Sequence, residues 1–103
     1  MKIVLTAWLV WAIAVAPVWA ATPAQLFEIH CAGCHPKGGN IIRRGKTLKQ
    51  QALQKNGYGT VETIAQIIRQ GKGNMSAFKD RLTEAEIGDL AEYVKAQAAN
   101  QWR

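Results

Sequence analysis

Cys31 and Cys34 are the only cysteines in a chain of 103 residues, and they fall inside one five-residue run, Cys31-Ala32-Gly33-Cys34-His35. A domain this small sits where an apolar core alone is marginal, and disulfides or metals often supply the missing stability. As a disulfide this pair would be a poor staple, because closing so short a loop restricts little of the unfolded chain. The Cys-x-x-Cys-His spacing is instead the attachment signature of a c-type haem. Two thiols at that spacing can reach both vinyl groups of one porphyrin, and the imidazole that follows is held beneath the iron. Gly33 keeps the turn free of a side chain that would crowd the macrocycle. One signature implies one haem, covalent through Cys31 and Cys34.

Two other chemistries use cysteines at this spacing. A thioredoxin-like dithiol belongs at the strand-to-helix junction of a βαβ unit, and no such pattern surrounds this one. Half of a zinc site would need a second cysteine pair, which the chain lacks. His30 immediately precedes the attachment turn and cannot easily reach the far face of a ring, so it reads as a surface or capping histidine.

A second axial ligand must come from elsewhere. Met75 lies forty residues beyond His35, in the run Gly71-Lys72-Gly73-Asn74-Met75-Ser76-Ala77-Phe78, and Met1 is the only other methionine. A lone methionine is usually a core filler, but these glycine and polar neighbours make a poor core segment, which favours the ligand role. With His35 and Met75 on the iron, no coordination position stays open for dioxygen or a substrate, so single-electron transfer is expected rather than catalysis. A neutral sulfur ligand and an apolar pocket both favour the ferrous state, which implies a positive potential. If Met75 were off the iron, the alternative is a haem sensor or ligand-binding protein.

The rest of the chain fits a secreted helical domain. Ile3 to Val18 carries no charge and runs into Val18-Trp19-Ala20, small residues where an export peptidase reads. Sixteen apolar residues with Pro17 near their end fall short of the roughly 20 that a membrane span needs, so residues 1–20 are expected to be a cleaved signal peptide and residues 21–103 the monohaem domain. Losing Lys2 from thirteen Lys and Arg leaves twelve against seven Asp and Glu, a net charge of +5.

Four helices are expected, each opened by threonine. Thr22-Pro23-Ala24-Gln25 forms a capping box and starts a helix from about Pro23 into Cys31. Thr47-Leu48-Lys49-Gln50 repeats the box before a short helix that stops at Asn56-Gly57. Thr60 opens a third, with Ile64, Ile67 and Ile68 on one face and Gly71 as its stop. Thr83-Glu84-Ala85-Glu86 opens the last, with Ile87, Leu90, Ala91 and Val94 on one face through about Ala99. Glycine-rich loops run from Gly38 to Gly45 and from Gly71 to Lys79. No useful period-two alternation appears, so the fold class is all-α.

Taken in order, these residues resemble cytochrome c6, the small class I cytochrome c of oxygenic photosynthesis. The resemblance runs through Phe27, Cys-Ala-Gly-Cys-His, Gly38-Gly39-Asn40, Lys46-Thr47-Leu48, Gly71-Lys72-Gly73-Asn74-Met75, Ala77-Phe78, Arg81-Leu82-Thr83, Tyr93-Val94 and Trp102. It implies a class I cytochrome c fold of about four helices around one haem, with the first and last helices crossing near Phe27 and Tyr93. It also implies His35 and Met75 as axial ligands, and Lys46 and Asn40 near a haem propionate and its adjoining loop. The implied donor is a membrane cytochrome bf complex, and the implied acceptor photosystem I or a terminal oxidase, in the thylakoid lumen or the periplasm.

Two positions depart from the usual pattern. Ile67 stands where the family commonly has glutamine, and Ser76 where a proline follows the methionine. An amide beside the ring can help hold the reduced state and an aliphatic side chain cannot, so a potential below that of the usual photosystem donor is expected, as in c6-like variants. Lys37, Arg43, Arg44, Lys46 and Lys49 cluster after the attachment site. Most such clusters are solvated faces, but Arg43-Arg44, set in a glycine-bounded loop by the electron's exit, would speed encounter with an acidic redox partner. No nucleic-acid motif accompanies the charge, and a monomer is expected.

Overall fold

A computed structural model of the chain describes residues 2–8 and 20–103. The body of the expected leader, residues 9–19, lies outside the described residues, while Ile3, Val4, Leu5 and Trp8 before it are exposed and in no regular secondary structure. Four α-helices are present among the described residues: α1 Pro23–His30, α2 Gln50–Lys55, α3 Val61–Gln70 and α4 Glu84–Ala99. A single 3₁₀ turn, Pro36–Gly38, follows the cysteine run. No strand forms among these residues; the only pairing is an isolated antiparallel bridge between Lys72 and Met75. None of the described helices is long and apolar enough to cross a membrane.

Three of the four threonine starts behave as the sequence suggests. Thr22, Thr60 and Thr83 each accept the N–H three residues on, and Gln25, Thr63 and Glu86 each reach back to the capping residue's own N–H. Each cap stabilises its helix by about 1 kcal/mol. Thr47 does not cap. Helix α2 starts at Gln50, and its capping position, Lys49, makes no side-chain bond. The cause is tertiary: Leu48 N–H donates to Gly38 O at 2.7 Å, and Leu48 O accepts the Trp102 indole N–H at 2.9 Å. Both bonds hold residues 47–48 out of the helix. The far end of α2 follows its sequence signal, with Tyr58 N–H bonded to Leu53 O and Gly57 N–H to Gln54 O while Gly57 takes φ 84°, the helix-ending pattern that asks for glycine.

Helix α4 is the spine, packing against α1, α2, α3 and the 3₁₀ turn and most extensively against α3. Its inner stripe, Ile87, Leu90 and Ala91, is wholly shielded from solvent, each of the two larger side chains stabilising the fold by roughly 1.5–3 kcal/mol. Helix α1 meets α4 through Phe27, whose ring centroid lies 5.5 Å from that of Tyr93 and 5.1 Å from that of Trp102. The crossing expected near Phe27 and Tyr93 is therefore present, with Trp102 as a third member.

Candidate functional site

One cavity of about 470 Å³ opens between α1, α3 and the two glycine-rich loops, within the roughly 300–1,000 Å³ usual for cofactor sites. Cys31, Cys34, His35, Asn40, Lys46, Ile67 and Met75 all border it. These residues come from four separate segments, and the fold brings them to one place.

The attachment run sits where α1 ends. Cys31 N–H and Ala32 N–H both bond to Phe27 O, at 2.8 and 2.9 Å, so the run is tied to the last turn of a helix anchored in the core. No disulfide joins the two cysteines; Cys31 is half-buried and Cys34 exposed. Burial, and secondarily the neighbouring Cys34, push the Cys31 thiol up to about 11. An activated redox dithiol needs the opposite shift. Among the described residues no three His, Cys, Asp or Glu side chains converge as metal donors.

His35 is oriented by its own turn. Its Nδ1 lies 2.8 Å from Gly39 O; a carbonyl can only accept, so Nδ1 carries the proton and Nε2 keeps the ring's lone pair. That is the tautomer a metal-binding imidazole needs, with a second-shell acceptor that fixes the ring's orientation. The sequence marked only a glycine-rich loop from Gly38 onward, and the Gly39 carbonyl was not legible in it.

Met75 is carried on a tight loop. Lys72 and Met75 exchange both backbone hydrogen bonds at 3.0 Å, and Gly71 and Gly73 turn the chain at φ 67° and 58°. Phe78 N–H bonds to Ile68 O at 3.0 Å, returning the loop to α3. Ile67, Ile64 and Ile68 line the wall that α3 presents. An apolar wall, a thioether, an imidazole and two thiols at attachment spacing thus border one cavity, residue types able to hold a covalent haem.

Asn40 and Lys46 shape the mouth. Asn40 Oδ1 accepts from Ile42 N–H and Arg43 N–H at 2.9 and 2.7 Å, and its Nδ2 donates to Lys46 O at 2.9 Å, so this one amide folds residues 40–46. Lys46 Nζ donates to Asn56 Oδ1 at 3.0 Å, and Asn56 Nδ2 in turn donates to Gly45 O at 2.9 Å. His30, in the last turn of α1, is half-buried and also borders the cavity, 5.8 Å from Phe78 in an edge-on contact. The helical register of α1 turns it inward, a direction that its place in the motif does not reveal. Tyr58, which also borders the cavity, carried no sequence signal, and Asn56 was marked only as a helix stop.

A family model described as "Cytochrome C oxidase, cbb3-type, subunit III" matches residues 19–94. A "Cytochrome c6-like" protein of Nostoc sp. is 56% identical over 79 residues, covering 77% of this chain and 71% of that one. The chain belongs to the cytochrome c6 family. A cytochrome c6 of Cyanidioschyzon merolae is 44% identical across 99% of this chain and 100% of its own length. The crystal structure of cytochrome c6C from Synechococcus sp. PCC 7002 superposes with a TM-score of 0.74 at 56% identity, covering 76% of this chain and 95% of that one. The fold is that of class I cytochromes c. Cytochromes c6 are electron carriers, not enzymes, each with one haem held covalently by a cysteine pair; here that pair is Cys31 and Cys34.

Proposed function

We propose that this soluble electron carrier holds its haem iron between His35 and Met75 and works in the thylakoid lumen or periplasm, between a membrane cytochrome bf complex and photosystem I or a terminal oxidase. The observation that supports it most directly is the bond from His35 Nδ1 to Gly39 O at 2.8 Å. It leaves Nε2 as the ring's only lone pair, on a cavity whose wall also carries the Met75 thioether. Bound haem supplies a one-electron iron couple. Two protein ligands leave no open position, and the apolar walls of Ile64, Ile68 and Phe78 keep water away and disfavour extra charge. Ile67 offers hydrocarbon where an amide would favour the reduced state, so the potential is expected below that of a glutamine-bearing cytochrome c6.

The loop over the mouth supplies the docking face. Ile41 and Ile42 are 68% and 51% exposed, Ile42 and Arg43 border the cavity, and Ile41 N–H is tied to Cys34 O at 3.0 Å. An apolar pair beside Arg43-Arg44 suits an acidic partner with a dry contact point. Cleavage after Ala20 would expose residues 21–103, and the exposed Ile3, Val4, Leu5 and Trp8 contribute nothing to the core.

Absorption of the ferric holoprotein tests the ligand pair. A weak band at the red edge, from iron bonded to thioether sulfur, is expected in the parent and absent from Met75→Ala, whereas His30→Ala keeps it. Absence of the band in the parent, or prompt carbon monoxide binding to the reduced protein, overturns the pair in favour of a haem sensor with Met75 off the iron.

A further inference from the structure

The contact that takes residues 47–48 out of the second helix also reaches the axial imidazole. Helix α4 ends at Ala99 and is capped by Asn100, and the next two residues, Gln101 and Trp102, adopt left-handed φ of 59° and 58° although neither is glycine. Such strain persists only where surrounding contacts over-determine it. Here Trp102 N–H bonds to Gln97 O at 2.8 Å, and the turn folds the indole back over the 3₁₀ turn. The ring lies so close on Gly38 that a Cβ at that position would overlap it. Its Nε1–H donates to Leu48 O at 2.9 Å, and Leu48 N–H donates to Gly38 O at 2.7 Å. The next residue along, Gly39, supplies the carbonyl that receives His35 Nδ1–H.

Lys37 and Gly38, between His35 and that carbonyl, are themselves left-handed at φ 52° and 78°. Within the segment, Gly38 N–H bonds to His35 O and Gly39 N–H to Pro36 O, at 3.1 and 2.9 Å. Those short-range bonds leave its placement against the rest of the domain to Leu48 and the indole. On its other side the indole is set by Phe27 and Tyr93, at centroid distances of 5.1 and 6.2 Å. A continuous set of contacts thus runs from the α1–α4 crossing through Trp102 and Leu48 to the acceptor of the His35 proton.

We propose that Trp102 is a positioning residue for His35: by pinning Leu48 and Gly38 it keeps the Gly39 carbonyl on Nδ1 and so fixes the ring's orientation and electron donation. The proposal rests on His35 being an axial ligand. A carbonyl held firmly on Nδ1 lends the ring imidazolate character, which favours the ferric state. Loosening it should raise the potential and release the ring proton to solvent.

The test is hydrogen exchange of the His35 Nδ1–H by NMR in the reduced holoprotein, with the midpoint potential measured alongside. Trp102→Phe keeps an aromatic ring and removes the donor. The expected result is His35 ring-proton exchange at least tenfold faster and a higher potential, with the amides of Leu90 and Val94 in the α4 core exchanging as in the parent. Ring-proton exchange that stays unchanged, or that accelerates only in step with those core amides, overturns the proposal. Should the variant not accumulate, the parent decides. In low denaturant the Trp102 indole N–H and the His35 Nδ1–H should become exchangeable through one shared opening. A His35 proton that stays protected after the indole proton has exchanged refutes the linkage. The carbon-bound ring protons of His35 report ligation separately: they lose their large haem-induced shifts if His35 is off the iron, and keep them if only the Trp102 linkage fails.

Discussion

Gly71 lies against the backbone of Met75 with no room for a side chain: a Cβ on Gly71 would sit 2.5 Å from Met75 O and 2.7 Å from Ala77 N. Because Gly71 also turns at φ 67°, both sterics and backbone conformation ask for glycine at the point where α3 hands the chain to the methionine loop. The substitution Gly71→Ala should therefore cost about 2 kcal/mol in stability and displace the thioether. Equilibrium denaturation of the holoprotein measures the first effect. Loss or weakening of the red-edge ferric band measures the second, and a variant with both parent-like stability and a parent-like band would show that the loop relaxes without moving Met75.

Ile67 stands half-buried on the cavity wall next to the lysine–methionine turn. Placing an amide there, Ile67→Gln, gives the cavity a hydrogen-bond donor that an aliphatic chain lacks. A net interaction of about 1–2 kcal/mol favouring the reduced state corresponds to a rise of about 40–90 mV for one electron. A redox titration of the two holoproteins checks it. An unchanged or lower midpoint would mean that the amide faces the groove shared by Gln66 and Gln70 on the outer side of α3 rather than the haem.

Much of this architecture could be read in advance, and the parts that could not share a cause. The caps at Thr22, Thr60 and Thr83 are local, made within three residues, and so they survive folding unaltered. The box at Thr47 is equally good on paper but loses to bonds from Gly38 and Trp102, residues nine and 55 positions away. Long-range competition of that kind leaves no local trace. Cys31, Cys34, His35 and Met75 could be named because motif spacing and a methionine among glycines carry chemistry that sequence displays directly; Asn40, Lys46 and Ile67 came from the family resemblance, and all seven border one cavity. The inward turn of His30 and the Gly39 carbonyl on His35 depend on the path of the backbone, and only folding reveals them.

The loop built on Asn40 sets Arg43 and Arg44 beside the exposed Ile41 and Ile42. Reversing both charges, in Arg43→Glu with Arg44→Glu, should slow electron transfer to an acidic redox partner about tenfold at low ionic strength, since complementary charge acts mainly on encounter. Stopped-flow rates against salt provide the check. The parent rate should fall as salt rises and the reversed variant's should climb, and parallel salt curves would move the docking face elsewhere.

Glu84 begins α4, and the Arg69 guanidinium from α3 binds both its carboxylate oxygens, with the shortest contact 2.7 Å. That hydrogen bonding, aided by the guanidinium charge against a smaller opposing effect of desolvation, holds the Glu84 carboxyl below its usual 4.5. A carboxyl with a lower value folded than unfolded binds fewer protons in the folded state. Its contribution to stability is therefore complete above about pH 4.5 and disappears as pH falls through the folded value. Both groups reach solvent, so the effect should be small and weakened by salt. Thermal unfolding of the parent and Glu84→Gln should accordingly show the parent modestly more stable at pH 7, with the gap closing in acid below about pH 4. A gap that persists unchanged in acid would assign the stabilisation to packing at the α3–α4 contact and not to the charge on Glu84.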